Sequence, residues 1–259
     1  MNLTTRISAL ACSAALLALP AAAATTITLQ DGLSGYAGTT DTWLDASQLR
    51  ENHGGATNLR VQWNGGHDDC VLVRFDLTGK IPNGAAVLSA ELWLYYTAAN
   101  AFATDNAVTL KPYRLQPGAW WDENIFDGQF AGASFSYRDA GEVLQWTGGA
   151  DGGWADRVDD GDATVKIKGT GGTPGDAIAP QTWAIFDVTP TLTNWRFGVT
   201  NNGFLVAATA LQGTAGTVYG TFTSRNDAGA TLRPKLTITF EPPVRSSVPT
   251  WGRIKGLYR

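Results

Sequence analysis

The chain has 259 residues and a net charge of −4 at pH 7, a length that suits one all-β domain, since sandwiches of about 200–250 residues often form a single unit. Between the N-terminal segment and the basic tail after Glu241, 14 basic residues stand against 23 acidic ones, so the body has a charge of −9. Nucleic acids and anionic membranes bind cationic surfaces, so this acidic body argues against both as partners.

The first 24 residues have the pattern of a signal peptide. Arg6 is their only charged residue, and the apolar run Ile7–Leu19 is shorter than the about 20 residues of a membrane-spanning helix. Small residues end the segment, as they do before a signal-peptidase site. We therefore assign residues 1–24 to a signal peptide and expect a secreted or cell-surface protein without membrane insertion. A membrane anchor is the less favoured alternative.

Short apolar runs between turn residues then predict many short strands. The clearest alternation is in Val87–Thr97, where the predicted core face holds Leu88, Ala90, Leu92, Leu94 and Tyr96. The predicted strands are Thr26–Gln30, Thr42–Leu44, Leu59–Trp63, Cys70–Leu77, Val87–Thr97, Val108–Leu115, Thr164–Lys168, Thr182–Val188, Gly203–Ala208, Thr217–Ser224 and Lys235–Phe240. One short helix is predicted at Thr189–Phe197, which has proline at its first position.

These elements predict an all-β fold, an antiparallel β-sandwich (jelly roll) of about ten strands. A parallel β-helix is the alternative, and it would need a repeat of about 20–25 residues that the sequence lacks. The longest irregular region, residues 116–181, is rich in glycine and holds four tryptophans. A loop of this length is usually functional or mobile.

Cys70 is the only cysteine outside the signal peptide, so no disulfide can form within the mature chain. Its almost continuously apolar strand, Cys70–Leu77, predicts a strand that is covered on both faces or lies at the centre of its sheet. Because free cysteine is among the most buried residue types, we expect an inert thiol. A reactive thiol or a pair between chains is the alternative.

The composition changes after residue 241, where the β-sandwich domain assigned to residues 25–241 ends. A proline-rich linker is predicted at 242–249 and a short basic amphipathic tail at 250–259. Trp251, Ile254 and Leu257 can share one helical face, but ten residues are marginal for an isolated helix. The tail is frayed, packs on its own domain or docks to a sorting or surface partner.

The order of several blocks resembles the DNRLRE domain, a jelly-roll module of secreted microbial proteins. The resemblance is carried by Asp41–Trp43, Asn52–Gly54, Leu72–Leu77, Ala90–Tyr95, Trp121–Glu123, Phe186–Thr189 with Trp195, Asn202–Leu205, Ser224-Arg225 and Arg233–Leu236. Asn226 departs from the pattern, since the family commonly has glutamate there. The resemblance implies an exported jelly roll, often attached to surface proteins or polysaccharide-degrading enzymes. Some of its relatives are similar to modules that bind acidic polysaccharides.

The sequence contains neither a Gly-Xaa-Ser-Xaa-Gly elbow nor a His-Glu-Xaa-Xaa-His motif, and we expect no catalysis. Sugar binding needs flat aromatic faces with polar groups beside them. The candidate ligand-binding residues are Trp120, Trp121, Trp146 and Trp154, although tryptophan is more often a core residue.

Calcium is the candidate ion, as a structural cofactor, because it prefers carboxylate oxygens. Its candidate ligands are Asp159, Asp160 and Asp162, for which a solvated acidic loop is the favoured alternative. Arg74 and Arg225 are predicted to be structural arginines, paired with the nearby Asp76 and Asp227 respectively.

The sequence thus predicts an exported, noncatalytic module that binds a polysaccharide or a cell-surface glycan. A structural cell-surface or matrix protein, placed by its C-terminal tail, is the alternative. A polysaccharide-degrading enzyme is the least favoured hypothesis.

Overall fold

The computed structural model describes residues 23–65, 68–100, 104–125, 128, 130–213 and 216–243. Nearly all of the predicted signal peptide and the whole basic tail lie outside the described residues, as does the linker after Pro243. Within the described chain, no helix is long and apolar enough to cross a membrane.

Strands dominate the described chain, and one α-helix and two turns of 3₁₀-helix accompany them. The strands are β1 (Thr25–Gln30), β2 (Thr39–Leu44), β3 (Asn58–Trp63), β4 (Cys70–Phe75), β5 (Ala86–Asn100), β6 (Ala107–Leu115), β7 (Tyr137–Asp139), β8 (Leu144–Gln145), β9 (Arg157–Val158), β10 (Val165–Lys168), β11 (Thr182–Asp187), β12 (Phe204–Gln212), β13 (Val218–Thr223) and β14 (Lys235–Glu241). The helix α1 spans Thr189–Arg196, and the 3₁₀ turns span Trp154–Asp156 and Ala230–Leu232. The predicted helix and the predicted strand near residue 165 are confirmed.

Two antiparallel sheets face each other, and the chain crosses between them repeatedly. The first sheet has the hydrogen-bonded order β1-β14-β5-β13-β3, and β11 also pairs with β5. The second sheet has the order β10-β6-β12-β4-β2, and β9 also pairs with β6. This arrangement confirms the predicted antiparallel β-sandwich.

The first strand of the sandwich pairs with its last. In the antiparallel register, Thr25 lies opposite Phe240 and Gln30 lies opposite Lys235. The side chains of Thr26 and Thr239 also form a hydrogen bond of 2.9 Å across this pair. The first and last strands of the domain therefore lie side by side at one edge of the first sheet.

The main core lies between the two sheets. Alternate residues of each central strand point into it, such as Leu92 and Leu94 of β5 and Val71 and Val73 of β4, and all four side chains are fully buried. Because side chains alternate along a strand with a period of two, residues at every second position lie on the same face of the sheet.

One predicted core position is wrong, because Leu88 is 47% exposed. The register between β14 and β5 shifts at this point, so that Thr239 pairs with Ser89 and Phe240 pairs with Val87. The resulting bulge leaves Leu88 without a partner in the ladder and turns it outward. Val87 packs against the core instead.

A second core covers the outer face of the second sheet. The long region predicted as an irregular loop folds back over this face, and residues 116–125 and 130–156 form what we call the covering lobe. Buried lobe side chains pack on the outward-facing Leu44, Leu72 and Leu205. The region is therefore a packed layer with short strands of its own, and the backbone of β4 is covered on both faces as predicted.

Cys70 lies at the base of this second core and is completely buried, which confirms its predicted position. Its sulfur lies 3.4 Å from the carbonyl oxygen of Gly152 in the covering lobe. Burial raises the pKa of the Cys70 thiol well above its usual range, and the thiolate needed for reactivity is therefore disfavoured.

Candidate functional site

The four candidate tryptophans do not form a common surface. Trp121 and Trp146 belong to the second core and are only 1% and 2% exposed, so neither can contact a ligand from solvent. Their indole N–H groups donate to the backbone oxygens of Asn202 and Ser134, which completes their burial. For these two residues the ligand-binding prediction is wrong, because the sheet face beneath them has to be covered.

The other two tryptophans remain at the surface, each against an arginine. Trp120 is 39% exposed, and the guanidinium of Arg138 lies 5.1 Å from its ring centroid. Trp154 is half-buried, and the guanidinium of Arg157 lies 3.7 Å from its ring. Only Trp120 offers an open ring to solvent.

The three candidate calcium ligands are engaged by the protein itself. Asp159 pairs with Lys111 at 2.6 Å, and Asp160 accepts two hydrogen bonds from the guanidinium of Arg114. Asp162 accepts hydrogen bonds from the hydroxyl and the N–H of Thr191. The described residues contain no group of three acidic, histidine or cysteine side chains arranged to hold a metal ion. Each of the three aspartates therefore has a structural partner within the protein, and they do not converge on a common site.

An open polar cavity of about 620 Å³ lies where β2 and β4 meet the segment before β12, and we call it the Arg74 cavity. Its walls include Gly38, Thr40, Arg74, Asp76, Asn201 and Arg225. The backbone at Gly203 lies close to β4 beside this cavity. A side chain at Gly203 would collide with the backbone oxygen of Val73 and with Arg74. The positive φ of Gly203 also favours glycine there.

Arg74 is the most informative residue of this cavity. It follows Cys70 and Leu72 on the outer face of β4 and lies just past the second core, with its guanidinium 5.1 Å from the ring centroid of Trp121. We find no hydrogen bond or ion pair from the guanidinium to any described residue. Burial lowers the pKa of Arg74, and the more distant carboxylates of Glu123, Asp122 and Asp76 only partly oppose this effect.

The surroundings of Arg74 supply further polar groups. Thr40 lies opposite it in the register of β2 and β4, and the Thr40 hydroxyl is buried without a hydrogen-bond partner among the described residues. Asp76 is exposed at the rim, and hydrogen bonds from Thr78 lower the pKa of its carboxyl. Arg74 and Asp76 do not form an ion pair among the described residues, so the predicted pairing is wrong. The cavity thus combines an uncompensated cation with the exposed carboxylate of Asp76, whereas the Thr40 hydroxyl lies beneath its surface.

Arg225 closes one side of the cavity and is structural, but its partner is not the predicted Asp227. Its guanidinium binds the buried carboxylate of Glu123 through two hydrogen bonds of 2.5 and 2.6 Å. Its backbone N–H and the hydroxyl of Ser224 donate to Asp41. Together, Asp41, Glu123, Ser224 and Arg225 form a polar cluster that joins the covering lobe to both sheets.

This cluster predicts an unusual dependence of stability on pH. Burial raises the pKa of Asp41 to about 7, with hydrogen bonds from Arg225 and Ser224 opposing the shift. A carboxyl whose pKa is higher in the folded state binds more protons there than in the unfolded state, so stability rises as pH falls from about 7 toward 4. We expect a gain on the order of 2 kcal/mol between about pH 7.5 and 5, measured by urea unfolding. The Asp41→Asn variant should lose this gain and keep only the smaller gain from Asp162, whose pKa burial raises to about 6. A gain in that variant as large as in the unmodified chain would contradict the assignment.

The outer face of the first sheet carries an aromatic cluster that the sequence analysis did not single out as a site. Trp183 packs edge-on against Trp93 and Tyr95, at centroid distances of 5.9 and 5.2 Å. The ammonium of Lys235 lies 4.1 Å from the ring of Trp93 and 4.4 Å from that of Trp183. Lys235 therefore covers these rings, and burial lowers the pKa of its ammonium. Trp93 and Tyr95 lie on the face of β5 opposite to the core residues Leu92 and Leu94, because side chains alternate along a strand.

Comparison with known proteins gives no match to a family model and no significant match to a curated protein. The resemblance to the DNRLRE domain therefore stays a prediction from sequence. Among the surfaces of the described residues, the Arg74 cavity offers the chemistry best suited to a ligand.

Proposed function

We propose that this protein is an exported, noncatalytic module that binds an acidic polysaccharide through the Arg74 cavity. The observation that carries the proposal is the guanidinium of Arg74, which faces an open cavity without an acceptor from the protein. A partly desolvated arginine without a counter-ion is costly, and a ligand carboxylate would supply two parallel hydrogen bonds. Burial of Arg74 therefore favours an anionic ligand at this position.

The other groups of the cavity fit a sugar acid better than a bare anion. The exposed carboxylate of Asp76 can bind hydroxyl groups, which a uronic acid carries beside its carboxylate. The Asn201 amide shapes the wall, because the backbone of Phe75 and Gly203 already binds both of its ends. The cavity is open to solvent, as a site for part of a longer chain must be. The sugar-binding prediction from sequence thus moves from the tryptophans of the covering lobe to the arginine beside it.

Long-range charge does not explain binding to a polyanion here. The body of the chain has 14 basic and 23 acidic residues, so its overall field repels a polyuronate. Retention of such a polymer would therefore require a local site, and a single arginine substitution should remove it.

The test is affinity electrophoresis of the mature chain in gels that contain polygalacturonate, alginate or a glycosaminoglycan, in the presence of chelator and with added calcium. We expect retention by at least one acidic polymer, and an increase in Kd of about 10- to 100-fold for Arg74→Ala, as charged hydrogen bonds of about 1.5–3 kcal/mol imply. Methyl-esterified polygalacturonate, which lacks the charge, should not retain the protein.

The matched control is Arg138→Ala, because the Arg138 guanidinium lies over Trp120 at the same 5.1 Å distance but outside the cavity. Arg138→Ala should bind as the unmodified chain does, and thermal unfolding should show that Arg74→Ala remains folded. If no acidic polymer retains the protein, or if both arginine variants bind equally well, the proposal is wrong and a structural surface protein becomes the better hypothesis.

A further inference from the structure

A second, apolar cavity of about 440 Å³ lies between the start of β5 and the end of α1. Its walls include Gly84, Ala86, Val87, Thr193 and Phe197, and we call it the Phe197 groove. Phe197 is 84% exposed, more than any other large apolar side chain of the described residues. A phenylalanine this exposed beside an apolar groove indicates a surface that is covered by something else.

The described chain ends at this groove. β14 finishes opposite the first residue of β5, where Glu241 pairs with Ala86. Pro243 follows, and its Cβ would lie 3.3 Å from a side chain placed at Gly84, so the backbone leaves the fold along the wall of the groove. The sixteen residues from 244 onward therefore start within reach of it.

We propose that the C-terminal segment of this same chain, residues 250–259, occupies the Phe197 groove. Its sequence supplies apolar side chains at helical spacing, because Trp251, Ile254 and Leu257 follow one another at every third position. Eight peptide units join Pro243 to Trp251 and can span up to about 28 Å when extended, more than twice the about 12 Å length of an eight-residue helix such as α1.

The tether favours this occupant over a second copy of the chain or another protein. A segment attached by a short linker has an effective local concentration in the millimolar range, far above that of a free partner. The guanidinium of Arg196 beside the groove already has hydrogen-bond acceptors within the protein, because it donates to the backbone oxygens of Pro82 and Ala85.

The experiment is a cross-linking measurement on the full mature chain. The double variant Ala86→Cys with Leu257→Cys places one thiol at the groove and one in the segment, and the buried native Cys70 should not react. Mild oxidation at low protein concentration should give an intrachain disulfide, identified by mass spectrometry of tryptic peptides. The control pair, Glu142→Cys with Leu257→Cys, places the first thiol on the exposed surface of the covering lobe.

We expect the groove pair to form its intrachain disulfide at least tenfold faster than the control pair. Adding Phe197→Asp should remove this advantage, and the fold should persist because that side chain is almost fully exposed. Equal rates for the two pairs would overturn the proposal. A disulfide found only between chains would also overturn it, since a second copy would then be the occupant.

Discussion

Trp121→Ala is expected to lower the free energy of unfolding by about 4 kcal/mol, with a fall in Tm of about 10 °C. Trp121 is the largest fully buried side chain, and it fills the second core between the covering lobe and the second sheet. Its removal leaves a cavity, deletes the hydrogen bond to the Asn202 carbonyl and removes the ring beneath Arg74. Urea unfolding and thermal unfolding followed by circular dichroism would measure the loss.

The neighbouring Trp120→Ala is the matched control for that variant. Trp120 is 39% exposed and packs against Arg138, so its substitution should cost less than about 1 kcal/mol. The two adjacent positions have the same residue type and differ in burial. A small effect of Trp121→Ala, or equal effects at both positions, would show that the lobe does not form a packed second core.

Glu123→Ala is expected to destabilise the chain by about 3–5 kcal/mol, because it leaves the guanidinium of Arg225 half-buried without its carboxylate. Glu123 is 6% exposed and also accepts a hydrogen bond from the backbone N–H of Asp41. Three parts of the fold therefore lose a partner at once. The loss would be measured as the change in the free energy of unfolding at pH 7.

Asp159→Ala is the control for Glu123→Ala, since Asp159 forms an ion pair of similar length with Lys111 but is exposed. Surface pairs contribute about 0–1 kcal/mol, so this variant should unfold almost like the unmodified chain. The double variant Glu123→Leu with Arg225→Met should regain part of the lost stability, because neither charge then remains buried. A double variant no better than Glu123→Ala would count against the buried-pair explanation.

The strands and the sandwich could be predicted because they depend on local patterns. Val87–Thr97 alternates with a period of two, and only the bulge at Leu88 breaks the expectation, since a bulge depends on the partner strand. The run Cys70–Leu77 also predicted correctly that β4 is covered on both faces. That apolar run could not predict which part of the chain, namely the covering lobe, packs on the outer face of β4.

The site was harder to predict because its contacts join distant parts of the chain. The covering lobe has the composition of an exposed loop, which predicts ligand-binding tryptophans, whereas Trp121 and Trp146 are core residues. Arg225 lies 102 positions from Glu123, so sequence proximity suggested Asp227 instead. Sequence proximity likewise suggested Asp76 as the partner of Arg74, whose lack of a protein acceptor is visible only in three dimensions.

The pairing of β1 with β14 has a mechanical consequence. Because Thr25 lies opposite Phe240, a pulling force applied through the two ends of the domain would separate these strands one hydrogen-bonded pair at a time. Separating the strands in this way needs far less force than shearing them along their length, which would break all the hydrogen-bonded pairs together. A protein held by its C-terminal end and by a ligand in the Arg74 cavity would keep this weak pair out of the line of tension, because β1 then carries no load.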